Sequence, residues 1–178
     1  MIDSNFIKYK PINISNVSRE TLKELDEYGM SIISKNKDIN LIGTSTEKTI
    51  NTRHIADSAQ IIEFIDNIEI NTCTDLGSGA GLPGIVLAIL MKHKKPQFKV
   101  IFYEKSFHKS KFLADISKKF SLNTEVHQKN IFEEKNLTTD VIISRAFKPL
   151  PIIFEIAERN FKNFKHIILF LGRNGNKI

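Results

Sequence analysis

Four of the chain's eight glycines fall in one octet, inside the run Asp75-Leu76-Gly77-Ser78-Gly79-Ala80-Gly81-Leu82-Pro83-Gly84. Glycines packed that closely after a strand let the backbone turn sharply and approach a ligand that any Cβ would repel. A plain turn needs one or two of them, so the run reads as a ligand cradle that leads from a strand into a helix. Pro83 suits the first turn of that helix, where its missing N–H costs nothing. The cradle requires a strand before it and a helix after it, which constrains the rest of the chain to a parallel α/β plan.

The surrounding pattern agrees. Strands are predicted at 70–76, 98–104, 123–128, 141–144 and 167–171, with helical runs at 83–92, 108–120 and 150–161 between them. Ahead of this alternation, Leu22, Leu25, Tyr28, Ile32 and Ile33 recur at helical spacing with Ser18 as N-cap, predicting a helix to about Asn36. A second helical stretch starts at Ser45 or Thr46 and carries Ile50, Ile55, Ile61, Ile62 and Phe64, with a break around His54. The first 16 residues are polar and aperiodic and are expected to be loosely ordered. The expected plan is a helical N-terminal extension (1–67) followed by a core (68–178) built on a mostly parallel sheet with helices on both faces.

Composition narrows the setting. A chain of 178 residues with 41% apolar content buries a core without staples, and its single cysteine, Cys73, cannot make a disulfide framework or a zinc site. Cys73 also lies inside a predicted strand, so it reads as a small core residue and not a nucleophile. No apolar run reaches the length of a membrane span, and the start lacks a signal pattern, so no membrane partner and a cytoplasmic location are expected. The net charge of +6 suits a polyanion such as nucleic acid, although the abundance of Lys, Asn and Ile also fits a genome poor in G and C.

The cradle's ligand is narrowed by its neighbours. A P-loop is excluded because no Gly-Lys-Ser/Thr follows, whereas the run does satisfy the dinucleotide pattern G-x-G-x-x-G. Asp75, at the strand end, places a carboxylate where it can face the cationic amine end of S-adenosylmethionine and would repel a pyrophosphate. Glu104 ends the next predicted strand, where a carboxylate can accept both hydroxyls of a ribose from either cofactor. Asn130 and Ile131, after the third strand, are candidates to read an adenine edge and cover its face, although Asn in a loop also serves plain turns. Gly77, Ser78, Gly79, Gly81 and Leu82 complete the candidate cofactor set.

Three stretches together, the octet, Arg53-His54-Ile55-Ala56-Asp57-Ser58 and Ser144-Arg145-Ala146-Phe147, resemble the bacterial 16S rRNA guanine-N7 methyltransferases, also called the glucose-inhibited division protein B family. The resemblance runs from about Leu22 to Leu171. It implies a class I, Rossmann-like methyltransferase fold, S-adenosylmethionine as methyl donor, and a guanine of 16S rRNA or the small ribosomal subunit as target. It also implies that Arg53, His54, Asp57 and Ser58 fold over the cofactor mouth and, with Arg145, shape the guanine site, Arg53, Asp57 and Ser58 being substrate-binding candidates; from the residues alone, an ion pair between Arg53 and Asp57, four apart, would explain those two. The chain departs from the family at Lys35, where a Trp is usual, at Asn130-Ile131-Phe132, where Arg-x-Glu is common, and at Gly172-Arg173, where a Lys-Gly pair is usual. The family's further helix and terminal strand pair have no evident counterpart after Leu171, which would expose one sheet edge.

The chemistry fits what is absent. Guanine N7 carries no proton and needs no general base, and neither an acid/base dyad nor an Asn/Asp-Pro-Pro-aromatic segment is found. Arg145, at a strand's carboxyl end, can donate to guanine O6, a phosphate or the cofactor, and with His54 it forms the candidate catalytic pair. Phe147 could stack on the base or pack in the core. Lys109 and Lys111, with Lys105, follow the second strand and could track RNA phosphates, whereas Lys92 to Lys95 lie at the opposite end. The expected protein is a monomeric rRNA methyltransferase without a metal; a silent RNA-binding relative and, more remotely, a nicotinamide-dependent oxidoreductase are the alternatives.

Overall fold

The structure is a computed structural model and describes residues 17–66 and 68–171. The expectations for residues 1–16 and for Gly172-Arg173 fall outside these. Five strands form one parallel sheet: β1 (Thr72–Leu76), β2 (Lys99–Tyr103), β3 (Thr124–His127), β5 (Val141–Arg145) and β7 (His166–Phe170), in the order β3-β2-β1-β5-β7. The chain therefore starts in the middle of the sheet, builds outward to β3, then returns past β1 to build the other side. That reversal sets a crevice at the carboxyl ends of β1 and β5, the usual ligand site in such sheets.

Strand composition follows from this layering. Central strands buried on both faces need continuous apolar side chains, and Val141, Ile142 and Ile143 of β5 are fully buried. The helix after the glycine run, α4 (Gly84–Lys94), is apolar around almost its whole circumference because it packs on β1 and β2 on one side and on the N-terminal helices on the other. Its basic end, Lys92-His93-Lys94, suits the negative pole of the helix dipole. Pro83 stands just before this helix, one position earlier than expected.

The predicted N-terminal helix forms α1 (Arg19–Asn36), with the Ser18 hydroxyl accepting from the Thr21 N–H at 3.1 Å. Leu25, Tyr28 and Ile32 recur along its buried stripe and join the same apolar cluster as Cys73, Ile85, Val100 and Ile143. One continuous core thus crosses the expected boundary near residue 67. The second helical stretch is not one helix. It is a 3-10 turn (Thr44–Thr49), a π turn (Asn51–Ala56) and two short pieces, α2 (Asp57–Ala59) and α3 (Ile62–Ile65). The break expected near His54 is the π turn, a widening that often marks functional segments.

Further along, α5 (Phe107–Lys119) and α6 (Leu150–Asn160) match the expected runs, and two short strands, β4 (Leu137–Thr138) and β6 (Phe161–Asn163), form a separate pair that the pattern does not reveal. Among the described residues β3 and β7 form the two sheet edges.

A single carboxylate ties the amino ends of three strands. Asp140 Oδ2 accepts from the Asn71 N–H at 2.8 Å, the Thr72 N–H at 3.0 Å and the Thr72 hydroxyl at 3.1 Å, while Oδ1 meets Lys165 Nζ at 2.9 Å. Burial pushes this carboxyl up, but the Asn71 N–H, Lys165 and the two Thr72 donors outweigh burial and hold it at about 2. A folded value below the ordinary 3.8 means stability present above pH 4 and lost as pH falls toward 2. Thermal melts of Asp140→Asn should show lower stability than the wild type at neutral pH and a shallower loss between about pH 4 and 2; equal slopes would remove this carboxylate as the acid-sensitive tie.

Candidate functional site

The glycine run forms the loop between β1 and α4, at the carboxyl edge of the sheet. Gly77, Gly79 and Gly81 all adopt positive φ, so the loop's shape depends on their lacking a Cβ. Their surroundings differ. A Cβ on Gly81 would lie 2.4 Å from Ile85 Cγ1 and 2.8 Å from Leu113 Cδ2, so this glycine permits the loop to pack on the helices. A Cβ on Gly79 would meet only the Gly77 carbonyl oxygen, at 3.8 Å, and otherwise open space. Gly79 is the point where a ligand can approach the backbone.

Two carboxylates flank the loop from adjacent strands. Glu104, just past β2, accepts from the Gly79 N–H at 2.9 Å through one oxygen and from the Ser106 N–H at 2.8 Å through the other. It therefore reaches the open glycine. Asp75 is 1% exposed and lies beneath the loop, where Oδ2 accepts from the Gly84 N–H at 3.0 Å. Burial pushes the Asp75 carboxyl up, the Gly84 N–H opposes this, and the charge of Glu104 adds to the rise, leaving it at about 7. Ser78 is buried, with its hydroxyl donating to the Asp75 carbonyl at 2.8 Å, and Leu82 is buried in the core. These two shape the loop from within.

The N-terminal elements hold this loop in place. The Tyr28 hydroxyl of α1 donates to the Ala80 carbonyl at 2.7 Å in a fully buried contact. The sequence marks Tyr28 only as part of an apolar stripe; no local signal points to a loop so far along the chain. Arg145, the last residue of β5, spends its guanidinium on the segment Arg53–Ser58. Nη2 lies 2.8 Å from Asp57 Oδ2 in an ion pair and donates to the Arg53 carbonyl at 2.9 Å, and Nη1 donates to Ser58 Oγ at 3.0 Å and to the His54 carbonyl at 3.4 Å. The guanidinium thus makes three hydrogen bonds and one ion pair to a single segment.

The ion pair of Asp57 is thus with Arg145 and not with Arg53, because the π turn shifts the spacing that a regular helix would give. Ser58 is fully buried against Arg145. His54 places Nε2 2.8 Å from Thr46 Oγ1, and its Nδ1 is buried without a partner among the described residues. Burial and then the charge of Arg145 lower the His54 pKa, which keeps the imidazole neutral at pH 7.

Phe147 packs on the other side of the loop, so close to Gly77 that a Cβ there would lie 2.0 Å from the ring. Asn130 uses its side chain locally, accepting weakly from the Phe132 N–H and donating to Glu133 Oε1 at 2.8 Å, and Ile131 is buried under α6. Lys109 and Lys111 lie on the first turns of α5; Lys111 pairs with Asp115 at 3.3 Å, while Lys109 and Lys105 have no carboxylate partner among the described residues. Among the described residues no cluster of His, Cys, Asp or Glu could hold a metal, and no helix is long and apolar enough to cross a membrane.

Two expectations follow from this geometry. A folded Asp75 value near 7, above the ordinary 3.8, means that folding takes up a proton, so stability should fall as pH rises from about 4 through 7. Asp75→Asn keeps an acceptor for the Gly84 N–H and should flatten that slope in pH-resolved denaturation; a wild-type curve without the slope would refute it. Arg145→Ala leaves Asp57 without its ion pair and should cost about 2–3 kcal/mol in a denaturant titration, with Arg145→Lys recovering only part because a point charge cannot replace the fork.

The family model for rRNA small subunit methyltransferase G matches residues 21–176. The ribosomal RNA small subunit methyltransferase G of Pelagibacter ubique is 48% identical over 175 residues, which is 97% of this chain and 82% of that protein. The protein of the same name from Cereibacter sphaeroides is 41% identical over 142 residues, 80% of this chain and 68% of its own length. Among solved structures, a coclaurine N-methyltransferase bound to N-methylheliamine and S-adenosylhomocysteine superposes with a TM-score of 0.54 at 17% identity, over 90% of this chain and 54% of that one. A SAM-dependent methyltransferase from Aquifex aeolicus gives 0.52 at 19% identity, over 72% of both chains. The parallel sheet with its glycine loop is therefore the class I methyltransferase fold, and the chain belongs to the rRNA small subunit methyltransferase G family.

Proposed function

We propose that this chain transfers a methyl group from S-adenosylmethionine to N7 of a guanine in 16S ribosomal RNA, acting as a cytoplasmic monomer. Family membership supports the reaction class. The observation that carries the cofactor assignment is the open approach at Gly79 with Glu104 already at its N–H. The residues present fit the cofactor: Gly79 admits it against the backbone, Glu104 offers acceptors for ribose hydroxyls, and the buried Asp75 carboxyl, held at about 7 in the free protein, is driven to its charged form by a cationic amine above the loop. S-adenosylmethionine supplies an electrophilic methyl group on a sulfonium.

What the chain's own residues do is position and exclude water. N7 presents a bare lone pair, so no side chain has to remove a proton. The neutral His54 fits this, and so does Arg145, whose guanidinium is turned to Asp57, Ser58 and the carbonyls of Arg53 and His54. In this reading Arg145 acts by fixing the segment Arg53–Ser58 beside the loop. Phe147 against Gly77 limits the space over the first glycine, and Lys105 and Lys109 offer charge to RNA phosphates without reading sequence. Rate then comes from holding N7 in line at near-attack distance.

The test is calorimetric titration with S-adenosylhomocysteine, with NAD as comparator, followed by methyl transfer to 16S rRNA lacking the modification. The expected result is binding of the first ligand alone and transfer to a guanine N7. Gly79→Val, which fills the open space and strains a φ of +55, should reduce affinity by at least about tenfold while far-UV circular dichroism stays unchanged. Retained affinity in a folded Gly79→Val protein would displace the loop from its assigned role, and binding without transfer would favour a silent relative. Light scattering of the purified chain checks the monomer.

A further inference from the structure

The last residue of α1 is a buried asparagine whose amide is used to its full capacity. Asn36 Oδ1 accepts from the N–H groups of Leu41 and Ile42 at 2.7 and 3.0 Å, and Nδ2 donates to the Ile42 carbonyl at 3.1 Å and to Glu47 Oε1 at 2.7 Å. An amide offers two acceptor sites and two N–H donors, so both of its atoms are satisfied within the chain. One side chain thereby ties the end of α1 to the 3-10 turn Thr44–Thr49.

That turn carries Thr46, and Thr46 orients His54. The Thr46 hydroxyl donates to the Gly43 carbonyl at 2.7 Å, which commits its one hydrogen. Its oxygen, 2.8 Å from His54 Nε2, can then only accept, so the proton of the neutral imidazole sits on Nε2. Nδ1 has no partner among the described residues, which leaves Thr46 to set the tautomer and direction of the ring. The His54 carbonyl in turn accepts from Arg145 Nη1. The segment Arg53–Ser58 is therefore held from two sides: by Arg145 at the end of β5, and by Asn36 through Glu47, Thr46 and the His54 ring.

We propose that Asn36 is a positioning residue for methyl transfer, holding the turn Thr44–Thr49 so that Thr46 fixes the His54 ring and with it the segment Arg53–Ser58. This inference rests on the rRNA methyltransferase reading. With no proton to remove, rate depends on how firmly the groups around N7 are placed, and a displacement of about 1 Å caused from a distance can cost on the order of 100-fold. Asn36→Asp is the sharp probe of such a role. It keeps the shape and both acceptor contacts, but it removes the N–H donors and sets a second carboxylate against Glu47.

The test compares the full chain with Asn36→Asp, the double variant Asn36→Asp with Glu47→Gln, Thr46→Val and Asp140→Asn. Each is measured in methyl transfer to 16S rRNA, in calorimetry with S-adenosylhomocysteine and by nitrogen NMR of the histidine rings, with His54 signals identified by their loss in His54→Gln. The wild type should show His54 as the Nε2–H tautomer. Asn36→Asp and Thr46→Val should move its ring nitrogens toward a tautomer mixture and lower kcat by about tenfold or more, with S-adenosylhomocysteine affinity unchanged. Adding Glu47→Gln to Asn36→Asp should restore much of the loss, because the new amide can donate to the new carboxylate. Asp140→Asn, which loosens the opposite end of the sheet, should keep the wild-type kcat and ring signals below its melting temperature.

An equal fall of kcat in Asp140→Asn would reduce the effect to general instability and overturn the proposal, as would unchanged His54 nitrogens in folded Asn36→Asp or a loss of S-adenosylhomocysteine affinity that accounts for the whole effect. Should Asn36→Asp fail to fold, Thr46→Val carries the same comparison with the Asn36 contacts intact. A wild type that transfers no methyl sinks the rRNA methyltransferase reading itself, whereas an active wild type beside equally active Asn36→Asp and Thr46→Val proteins sinks this inference alone.

Discussion

The guanidinium of Arg145 joins the carboxyl end of the central strand β5 to a segment that precedes the sheet in sequence, and the arrangement of the site depends on that joint. Side chain and backbone both contribute: Asp57 supplies charge, Ser58 a hydroxyl, and Arg53 and His54 their carbonyls. Those carbonyls are available because the π turn Asn51–Ala56 leaves them outside a regular helical ladder. A planar fork suits this mixed set better than a flexible ammonium, since its donors are fixed relative to one another. Tyr28 makes the second attachment, from α1 to Ala80 of the glycine loop.

Around the loop, the two carboxylates occupy unlike environments. Asp75 is buried, held by one N–H and raised to about 7, whereas Glu104 lies nearer the surface with both oxygens on backbone donors. A carboxyl near neutrality beneath the open glycine and a second carboxyl beside it disfavour a phosphate there and favour a cation, which would draw Asp75 into its charged form. At the opposite end of the sheet, Asp140 uses the same chemistry for a structural purpose, gathering donors from the starts of β1 and β7.

Much of the fold was legible because it follows from local patterns. The glycine run, the alternation of apolar strands and amphipathic helices, and the Ser18 cap each depend on neighbours in sequence, and the structure contains each where the pattern indicates. The fate of individual polar groups was not legible in the same way. Arg145 could be recognised as important at the end of a strand, but whether its donors face a ligand or the protein depends on a segment roughly 90 residues earlier. Asn130 was a candidate for reading adenine, and its amide is used within its own turn. An ion pair of Asp57 with Arg53, one helical turn away, was the plain alternative to a binding role, and the π turn broke that spacing.

The sequence by itself determined the parallel α/β plan, the cradle and its acidic companion on the next strand, because spacing along one chain fixes which residues stand at strand ends. Only the tertiary structure decided which glycine is open and that Tyr28 and Arg145 bind the extension to the core. Those outcomes depend on contacts between distant segments, where burial and competition among donors and acceptors choose one partner from many that the sequence allows.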